Sequence, residues 1–292
     1  MLTQFFGNYL VDRKLITSDQ LIYALRHKHE KNQTMAAMAL SLGYMTEEET
    51  EDVHNMQVIC DEEFISLALR MNYLTSSQAA ELEEAQHFGY LLLARSIVEL
   101  GFCDAATMSD AIADYEFDFQ LSFSNCLNFD KDKIQEMIHN YYNFPDDGQI
   151  TPAEEYAVIL MNNLIRFIGD DFRLDGKLEK VPDLPDMMEV TQHITGEIKG
   201  GTAIIGYKDF MEEFAKRYAG EELEDDEYVS IAVQDFLNQH NGLFSISLSQ
   251  EHDMEIELTA TEGKEYDKDK FQYSYILPVE FTFGLIYFCF SL

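Results

Sequence analysis

The chain has 292 residues, of which 46% are hydrophobic, and 54 Asp and Glu outnumber 20 Lys and Arg for a net charge of −34. Such a negative protein repels phosphate backbones and anionic headgroups, which argues against binding to nucleic acid or to a membrane surface. The 16 Tyr and 21 Phe exclude a disordered acidic tail and, with this length, predict two folded domains.

An internal repeat of 29 residues organises residues 1–120. Four segments, beginning at residues 5, 34, 63 and 92, share two apolar positions, a turn position and a helix cap. The apolar positions are Phe6, Met35, Phe64 and Leu93, then Leu10, Ala39, Ala68 and Ile97. The turn positions are Lys14, Gly43, Asn72 and Gly101, and the caps are Thr17, Thr46, Thr75 and Asp104. Gln20, Glu49 and Gln78 follow three residues after the first three caps and predict capping boxes. Each unit is therefore predicted to be a short helix, a tight turn and a longer helix, and four units predict an all-helical array.

This repeat resembles the N-terminal domains of type II secretion and type IV pilus assembly ATPases. The likeness rests on an early glycine (Gly7), a middle glycine (Gly43, Gly101) and a closing glutamine (Gln57, Gln86). Some members of that family bind cyclic di-GMP through a leading arginine, whose places here hold Phe5, Thr34, Glu63 and Leu92. Residues 1–120 carry 20 acidic and 7 basic side chains, a net charge of −13, so a dianionic nucleotide is a poor ligand. We expect a scaffold or protein-docking surface, and a cyclic dinucleotide sensor is the less favoured alternative.

Residues 121–149 are predicted to be a linker that contains one helix, capped by Asp130, and a turn at 144–149. The second domain, residues 150–292, opens with a helix capped by Thr151, with Pro152 at its first position. The pattern then predicts a β-hairpin at 190–207, a helix at 209–220 and a helix at 227–241 that ends at Gly242.

A second hairpin is predicted from the alternation of Phe244, Ile246 and Leu248 and its partner run at 254–258. The segment 275–292 is apolar on nearly every residue, as a central strand or strand pair would be. Helix and hairpin thus occur twice in the same order, which predicts an α+β domain built from a duplicated α–β–β unit. Its sheet edges allow pairing in a homodimer.

At these residues the second domain resembles the CheC/CheX family of chemotaxis phosphatases, with the CheX branch the more similar. The likeness rests on VTQHITGEIKGGTAIIGY, DFLNQHNGLFSISLS and LPVEFTFG and covers about residues 150–292, half of the chain. That family hydrolyses the aspartyl phosphate of response regulators such as CheY. The resemblance therefore implies a CheY-like receiver domain as partner, in chemotaxis or two-component signalling. It implies no cofactor of the chain's own, since the receiver supplies Mg²⁺.

The family's signature helix carries Asp or Ser, then Glu four residues later and Asn three after that. Asn238 takes the Asn position and Asp235 the Glu position, whereas Ile231 replaces the first polar residue, with Ser230 beside it. The resemblance implies that Asn238 positions the hydrolytic water and that Asp235 pairs with the receiver's active-site lysine. An amide suits the first role because it can donate and accept hydrogen bonds at once.

Two functions follow from these departures. The first is a protein-aspartyl-phosphate phosphatase with a degenerate motif, and the second is a non-catalytic adaptor whose repeats and CheX-like domain each bind a protein. Asn162 and Asn163 lie where a duplicated site would be, but Leu160 stands three residues before Asn163, so no second site is expected. The scattered histidines predict no metal site, and His240 reads as a surface or cap residue.

The four cysteines, Cys60, Cys103, Cys126 and Cys289, lie far apart in apolar surroundings and read as reduced core thiols. The first residues, MLTQFFGNYLVDRKL, lack the features of a secretory signal, and no apolar run is long enough to span a bilayer. These features predict a cytoplasmic protein.

Overall fold

The computed structural model describes residues 2–31, 35–41, 43–60, 62–87, 89–119, 131–145, 151–182, 184–223, 225–267 and 273–292. The chain divides into two compact units, residues 2–129 and residues 130–292. The predicted cap Asp130 and most of the predicted turn at 144–149 lie outside the described residues.

The described part of the first unit is helical throughout and contains eight helices. They are α1 (Leu2–Asp12), α2 (Ser18–Lys31), α3 (Met35–Ser41), α4 (Glu47–Ile59), α5 (Phe64–Arg70), α6 (Ser76–His87), α7 (Gly89–Glu99) and α8 (Ala105–Asp118). The side chains of Leu10, Ala39, Ala68 and Ile97, which are equivalent in the 29-residue alignment, are all fully buried. Each of these four short helices therefore contributes this side chain to a hydrophobic core.

Caps and turns separate the helices of each pair. The predicted capping boxes at Thr17, Thr46 and Thr75 are confirmed. Each threonine hydroxyl accepts from the backbone N–H of the residue three positions later, and the Gln or Glu side chain of that residue accepts from the backbone N–H of the threonine. Asp104 accepts from the N–H groups of Ala106 and Thr107. The backbone is left-handed at all four predicted turn positions, with φ of 59° at Lys14, 69° at Gly43, 61° at Asn72 and 72° at Gly101.

The left-handed turn predicts the effect of exchanging glycine with other residues. Gly101→Ala should destabilise the helical unit by about 1 kcal/mol, because a Cβ disfavours this backbone, whereas no atom lies within 4 Å of the added carbon. The converse change, Lys14→Gly, should not destabilise it. Urea unfolding of the full chain followed by far-ultraviolet circular dichroism measures both. Equal stability of Gly101→Ala and wild type would contradict the prediction.

The second unit contains four helices and seven strands among its described residues. In chain order they are α9 (Lys131–Tyr142), α10 (Pro152–Phe167), β1 (Phe172–Leu174), β2 (Met187–Gly196), β3 (Gly200–Tyr207), α11 (Lys208–Ala219), α12 (Asp226–His252), β4 (Ile256–Leu258), β5 (Glu262–Glu265), β6 (Tyr275–Phe281) and β7 (Gly284–Ser291). Helix α9, predicted as part of a linker, packs on this unit: Gln135 and His139 contact the Glu154 carboxylate of α10, and Tyr141 donates to the Leu174 carbonyl.

The strands form one antiparallel sheet in the order β1-β6-β7-β3-β2-β4, and β5 also pairs with β2. Helices α10, α11 and α12 cover one face, where Phe214 of α11 contacts Phe236, Phe281 and Phe288. The apolar segment 275–292 forms β6 and β7, and β7 is central, as its composition predicted. The predicted hairpin at 190–207 is also confirmed, by β2 and β3.

The second predicted hairpin is wrong, because helix α12 continues from Asp226 to His252. Phe244 and Leu248, four residues apart, are fully buried, while Ile246 is half exposed. The burial of these side chains therefore follows the period of a helix and not the alternation of a strand. Gly242 lies within the helix, and Asp253, with φ of 55°, ends it. The hairpin predicted at 243–260 is therefore not found: the strand at Ile256–Leu258 is short and pairs with β2, and the antiparallel strand pair that comes after α12 is β6 and β7.

Two further predictions concern the surface and the core. Of the cysteines, Cys289 is buried as predicted, but Cys60 and Cys103 are partly exposed, and Cys126 lies outside the described residues. No helix in the described ranges has the length and hydropathy needed to cross a bilayer.

Candidate functional site

The candidate residues lie on the solvent-facing side of α12. Asp225 caps this helix by accepting from the N–H groups of Glu227 and Tyr228. Its apolar face, Val229, Val233, Phe236 and Leu237, is buried in the unit, which leaves the opposite face in solvent. Asp235 and Asn238, three residues apart, are both exposed on that face. The structure thus brings the two predicted side chains together.

Asn238 is held by a glutamine from the sheet. Gln192 of β2 donates through Nε2 to Asn238 Oδ1 at 2.8 Å. Asn238 Nδ2 makes no hydrogen bond within the described part of the chain, so the amide offers its donor end outward. The exposed amide of Asn238 is therefore oriented by the fold beneath it.

Gln192 belongs to a buried polar network. Its Oε1 accepts from Asn241 Nδ2 at 2.7 Å, and the same nitrogen donates to Thr202 Oγ1 at 2.8 Å. Tyr156 of α10 donates to Asn241 Oδ1 at 3.0 Å. Burial raises the pKa of Tyr156 far above its ordinary value, so the phenol stays protonated and remains a donor. The network joins α10, α12, β2 and β3 beneath Asn238.

Asp235 is held by a residue of the neighbouring helix. The Tyr218 hydroxyl of α11 lies 2.8 Å from Asp235 Oδ2 and 2.7 Å from Gln239 Oε1. Burial, and then the Asp235 carboxylate, raise the pKa of Tyr218 well above its ordinary value, which keeps this hydroxyl a donor. Asp235 Oδ1 has no hydrogen-bond partner in the described ranges and faces solvent. One carboxylate oxygen is therefore fixed while the other can meet a partner.

At the first position of the signature helix, where the family has Asp or Ser, the structure presents an apolar side chain to solvent. Ile231 is 50% exposed on the same side of α12 as Asp235. Ser230 does not substitute for it: its hydroxyl accepts from Gln234 Nε2 and lies against Gly263 of β5, where an added Cβ would be 2.3 Å from Ser230 Oγ. The exposed face thus carries one apolar and two polar functional groups.

His240 is not a surface residue, contrary to the sequence interpretation. It is 1% exposed, its Nδ1 lies 3.0 Å from Asn163 Nδ2, and its ring packs edge-on against Tyr156. Burial lowers the pKa of His240 to about 3, and its Nε2 has no partner within the described residues. Asn163 is itself buried, so in this structure it is a core partner of His240 that does not reach solvent.

One group of side chains in the described part of the chain has the composition of a metal site. Ligand atoms of Glu155, Glu251 and His252 lie within 4.8 Å of one another. The buried Glu155 carboxylate already accepts from the Ser247 hydroxyl and faces His252 Nε2 at 2.7 Å. These contacts account for the burial of the carboxylate, since a buried charge needs hydrogen-bond partners or an opposite charge.

Sequence reasoning missed Gln192, Asn241 and Tyr218. For Gln192 a signal existed: it stands between Val190 and Ile194, on the side of the strand that alternation assigns to the core. A glutamine there needs a buried partner. Asn241 is one helical turn after Asn238, but nothing in the pattern distinguishes it from a surface amide. Tyr218 meets Asp235 only through the packing of α11 on α12.

No protein-family model and no curated protein matches the chain. Among solved structures, a chemotaxis protein CheX from Desulfovibrio desulfuricans is similar, at 16% identity and a TM-score of 0.38, over 48% of this chain and 98% of that one. The CheX–CheY–BeF₃–Mg²⁺ complex from Borrelia burgdorferi matches at 16% identity and a TM-score of 0.40, over 49% and 100%. FliY from Thermotoga maritima matches at 18% and 0.34, over 53% and 88%. Each of these three matches covers about half of this chain.

Proposed function

We propose that this chain binds a phosphorylated CheY-like receiver domain and hydrolyses its aspartyl phosphate. The observation that carries the proposal is that α12 presents Asp235 and Asn238 side by side in solvent, each fixed from behind by one hydrogen bond. Unsupported surface side chains would lose conformational entropy on binding, whereas these two are already oriented.

The chemistry needs little from the protein. An acyl phosphate is already activated, so hydrolysis requires a water held in line and stabilisation of the charge on the phosphoryl oxygens. Asn238 Nδ2 points outward as a donor, and the second lone pair of Oδ1 remains as an acceptor. Asn238 therefore holds the water by donating to its oxygen, or donates to a phosphoryl oxygen as charge develops. Mg²⁺ and the phosphorylated aspartate belong to the receiver.

Asp235 supplies the anchoring charge. Its solvent-facing Oδ1 pairs with the active-site lysine of the receiver, while Tyr218 holds Oδ2. A hydrogen bond between a carboxylate and an ammonium group at a closed interface is stronger than a neutral one. The pairing aligns the receiver so that its phosphoryl group comes to Asn238.

A dephosphorylation assay tests the proposal. A receiver labelled by a small phosphodonor is expected to lose phosphate faster with the full chain than without it. Binding is measured separately with the receiver carrying beryllofluoride, which mimics the phosphoryl group and cannot be hydrolysed. Identical decay with and without the chain would refute phosphatase activity, and retained binding would then assign the chain to adaptor function.

Lengthening the acid should raise activity. Aspartate is one methylene shorter than the glutamate of the family's signature, so Asp235→Glu should reach the lysine better and increase the rate several-fold, towards about tenfold. Asp235→Asn is the matched control of equal shape without charge, and it should weaken receiver binding by about tenfold. Affinities from titration calorimetry and rates from the decay assay measure the two effects. Unchanged binding by Asp235→Asn would show that no lysine contacts this residue.

A second function, as a non-catalytic adaptor, is favoured by a different observation. Tyr228 and Ile231, three residues apart on α12, are 53% and 50% exposed and put apolar surface on the partner-facing side. Exposed aromatic and aliphatic groups suit protein contact more than water activation. In either function the helical repeats are a second protein-docking module. Their likeness to the assembly ATPases, a cytoplasmic location and a homodimer through the CheX-like unit stay predictions.

A further inference from the structure

Gln192 occupies a position where its two amide ends are not interchangeable. The side chain is 1% exposed and lies between the sheet and α12. Its Nε2 donates to Asn238 Oδ1 and to the Thr259 carbonyl oxygen, both at 2.8 Å. Both N–H groups of the amide are therefore in use, and its carbonyl oxygen is left for Asn241.

The Thr259 carbonyl decides the direction of these bonds, because a main-chain carbonyl only accepts. Thr259 is tied to β2 by two further bonds: its N–H donates to the His193 carbonyl at 3.0 Å, and its hydroxyl accepts from the His193 N–H at 3.1 Å. An inverted Gln192 would place two oxygens against each other at Thr259. Such a buried contact costs the desolvation of both groups with no bond in return.

The orientation of the Gln192 amide in turn determines the orientation of the Asn238 amide. Since Gln192 offers it an N–H, Asn238 must turn its oxygen inward and its NH₂ group outward. On the other side, Asn241 is fixed in turn by Tyr156 and Thr202, a phenol and a hydroxyl from two further elements. The hydrogen-bond partners of Gln192 in the described part of the chain, Asn238, Asn241, Thr202 and Thr259, are all neutral.

We propose that Gln192 is a positioning residue that sets the polarity of the Asn238 amide, so that Asn238 meets the receiver as a hydrogen-bond donor. The inference rests on the proposed function for its catalytic consequence, but the orientation itself is a property of the free protein. Gln192 touches neither water nor phosphoryl group and acts only through Asn238.

The variant Gln192→Glu keeps the shape and removes the donor. Its carboxylate can accept from Asn241 but repels the Thr259 carbonyl, and it draws the Asn238 NH₂ group inward. At pH 8 we expect the rate of receiver dephosphorylation to fall about tenfold with unchanged affinity for the beryllofluoride-loaded receiver. At pH 6 a protonated glutamic acid donates again, so the rate should recover in part relative to wild type at the same pH.

Two comparisons separate positioning from damage to the fold. Gln250→Glu adds the same carboxylate at an exposed position near the other end of α12, away from Asn238, and should change neither rate nor pH profile. In an Asn238→Ala background, Gln192→Glu should cause no further loss of rate, because its effect requires the amide. A rate reduced equally at both pH values, or a further loss in that background, would overturn the proposal.

Nuclear magnetic resonance tests the orientation without any enzymatic activity. In the wild-type protein the side-chain NH₂ protons of Gln192 should exchange slowly with water and those of Asn238 rapidly. In Gln192→Glu the Asn238 NH₂ protons should become protected. Protected Asn238 protons in the wild type would refute the inference even if the protein is a phosphatase. Should the wild type lack activity, the exchange pattern still decides the orientation while the proposed function fails.

Discussion

Asn238→Ala is expected to remove most of the acceleration of receiver dephosphorylation, a loss on the order of a hundredfold, which is typical for one lost donor at a reacting centre. The side chain is exposed, so its truncation removes no core packing. Gln192 would lose one acceptor, but its bond to the Thr259 carbonyl and that from Asn241 remain. The fold should therefore survive, and the loss should appear in the rate at saturating receiver.

The control for this variant lies on the same helix. Gln250 is an exposed amide near the other end of α12, and Gln250→Ala should leave rate and binding unchanged. The affinity of Asn238→Ala for the beryllofluoride-loaded receiver should stay within a few-fold of wild type, because Asp235 still supplies the ionic contact. Full activity of Asn238→Ala would remove this residue from the mechanism.

His240 should make the second unit sensitive to acid. Above pH about 6.5 the imidazole is neutral in both folded and unfolded chains and has no effect on pH dependence. Between that value and pH about 3, the unfolded chain binds a proton that the folded chain does not, since burial lowers the folded pKa to about 3. The free energy of unfolding should thus decrease as the pH is lowered. This group should account for a decrease of about 2 kcal/mol between pH 7 and pH 5.

His240→Gln tests this linkage. Glutamine keeps an acceptor for Asn163 Nδ2 and does not titrate, so the drop in stability from pH 7 to pH 5 should shrink by about 2 kcal/mol. Hydrogen exchange of β3 and β7 amides in urea reports this unit within the full chain. Phe244→Leu, a core change beside Tyr156, should lower stability alike at both pH values. An unchanged drop in His240→Gln would exclude His240 as its source.

Local chemistry was the predictable part of this chain. Thr17, Thr46 and Thr75 each cap a helix because a hydroxyl satisfies an N–H group within the same turn, which needs no knowledge of the rest of the fold. The same holds for Thr151, which caps α10, and for Gly220, which ends α11 in a left-handed conformation. Apolar composition likewise predicted the central place of β7.

Tertiary contacts account for what the pattern missed. Residues 244–248 alternate as in a strand, yet they extend α12 because Phe244 packs against Tyr156 of α10. The polarity of Asn238 depends on the Thr259 carbonyl, 21 positions later in the sequence, through a glutamine of β2. A contact that joins three separate segments of the chain cannot be recognised from the spacing of residues in the sequence. The sequence proposed Asn238 and Asp235 as candidates, whereas the contacts that orient them, from Gln192 and Tyr218, became visible only in the structure.

The pairing of the sheet has a consequence for how the chain folds. Phe172 of β1 lies opposite Phe281 of β6, and Ala203 of β3 lies opposite Cys289 of β7, so the sheet joins residues far apart in sequence. The helical unit also joins residues far apart in sequence, since Phe6 of α1 packs against Tyr90 of α7 and Tyr115 of α8. Loop closure precedes any gain from distant pairing, so the sheet should form only after these distant segments have been brought together. Until β7 docks, β3 and β6 keep an open edge, and this interval is when the chain is most prone to aggregate.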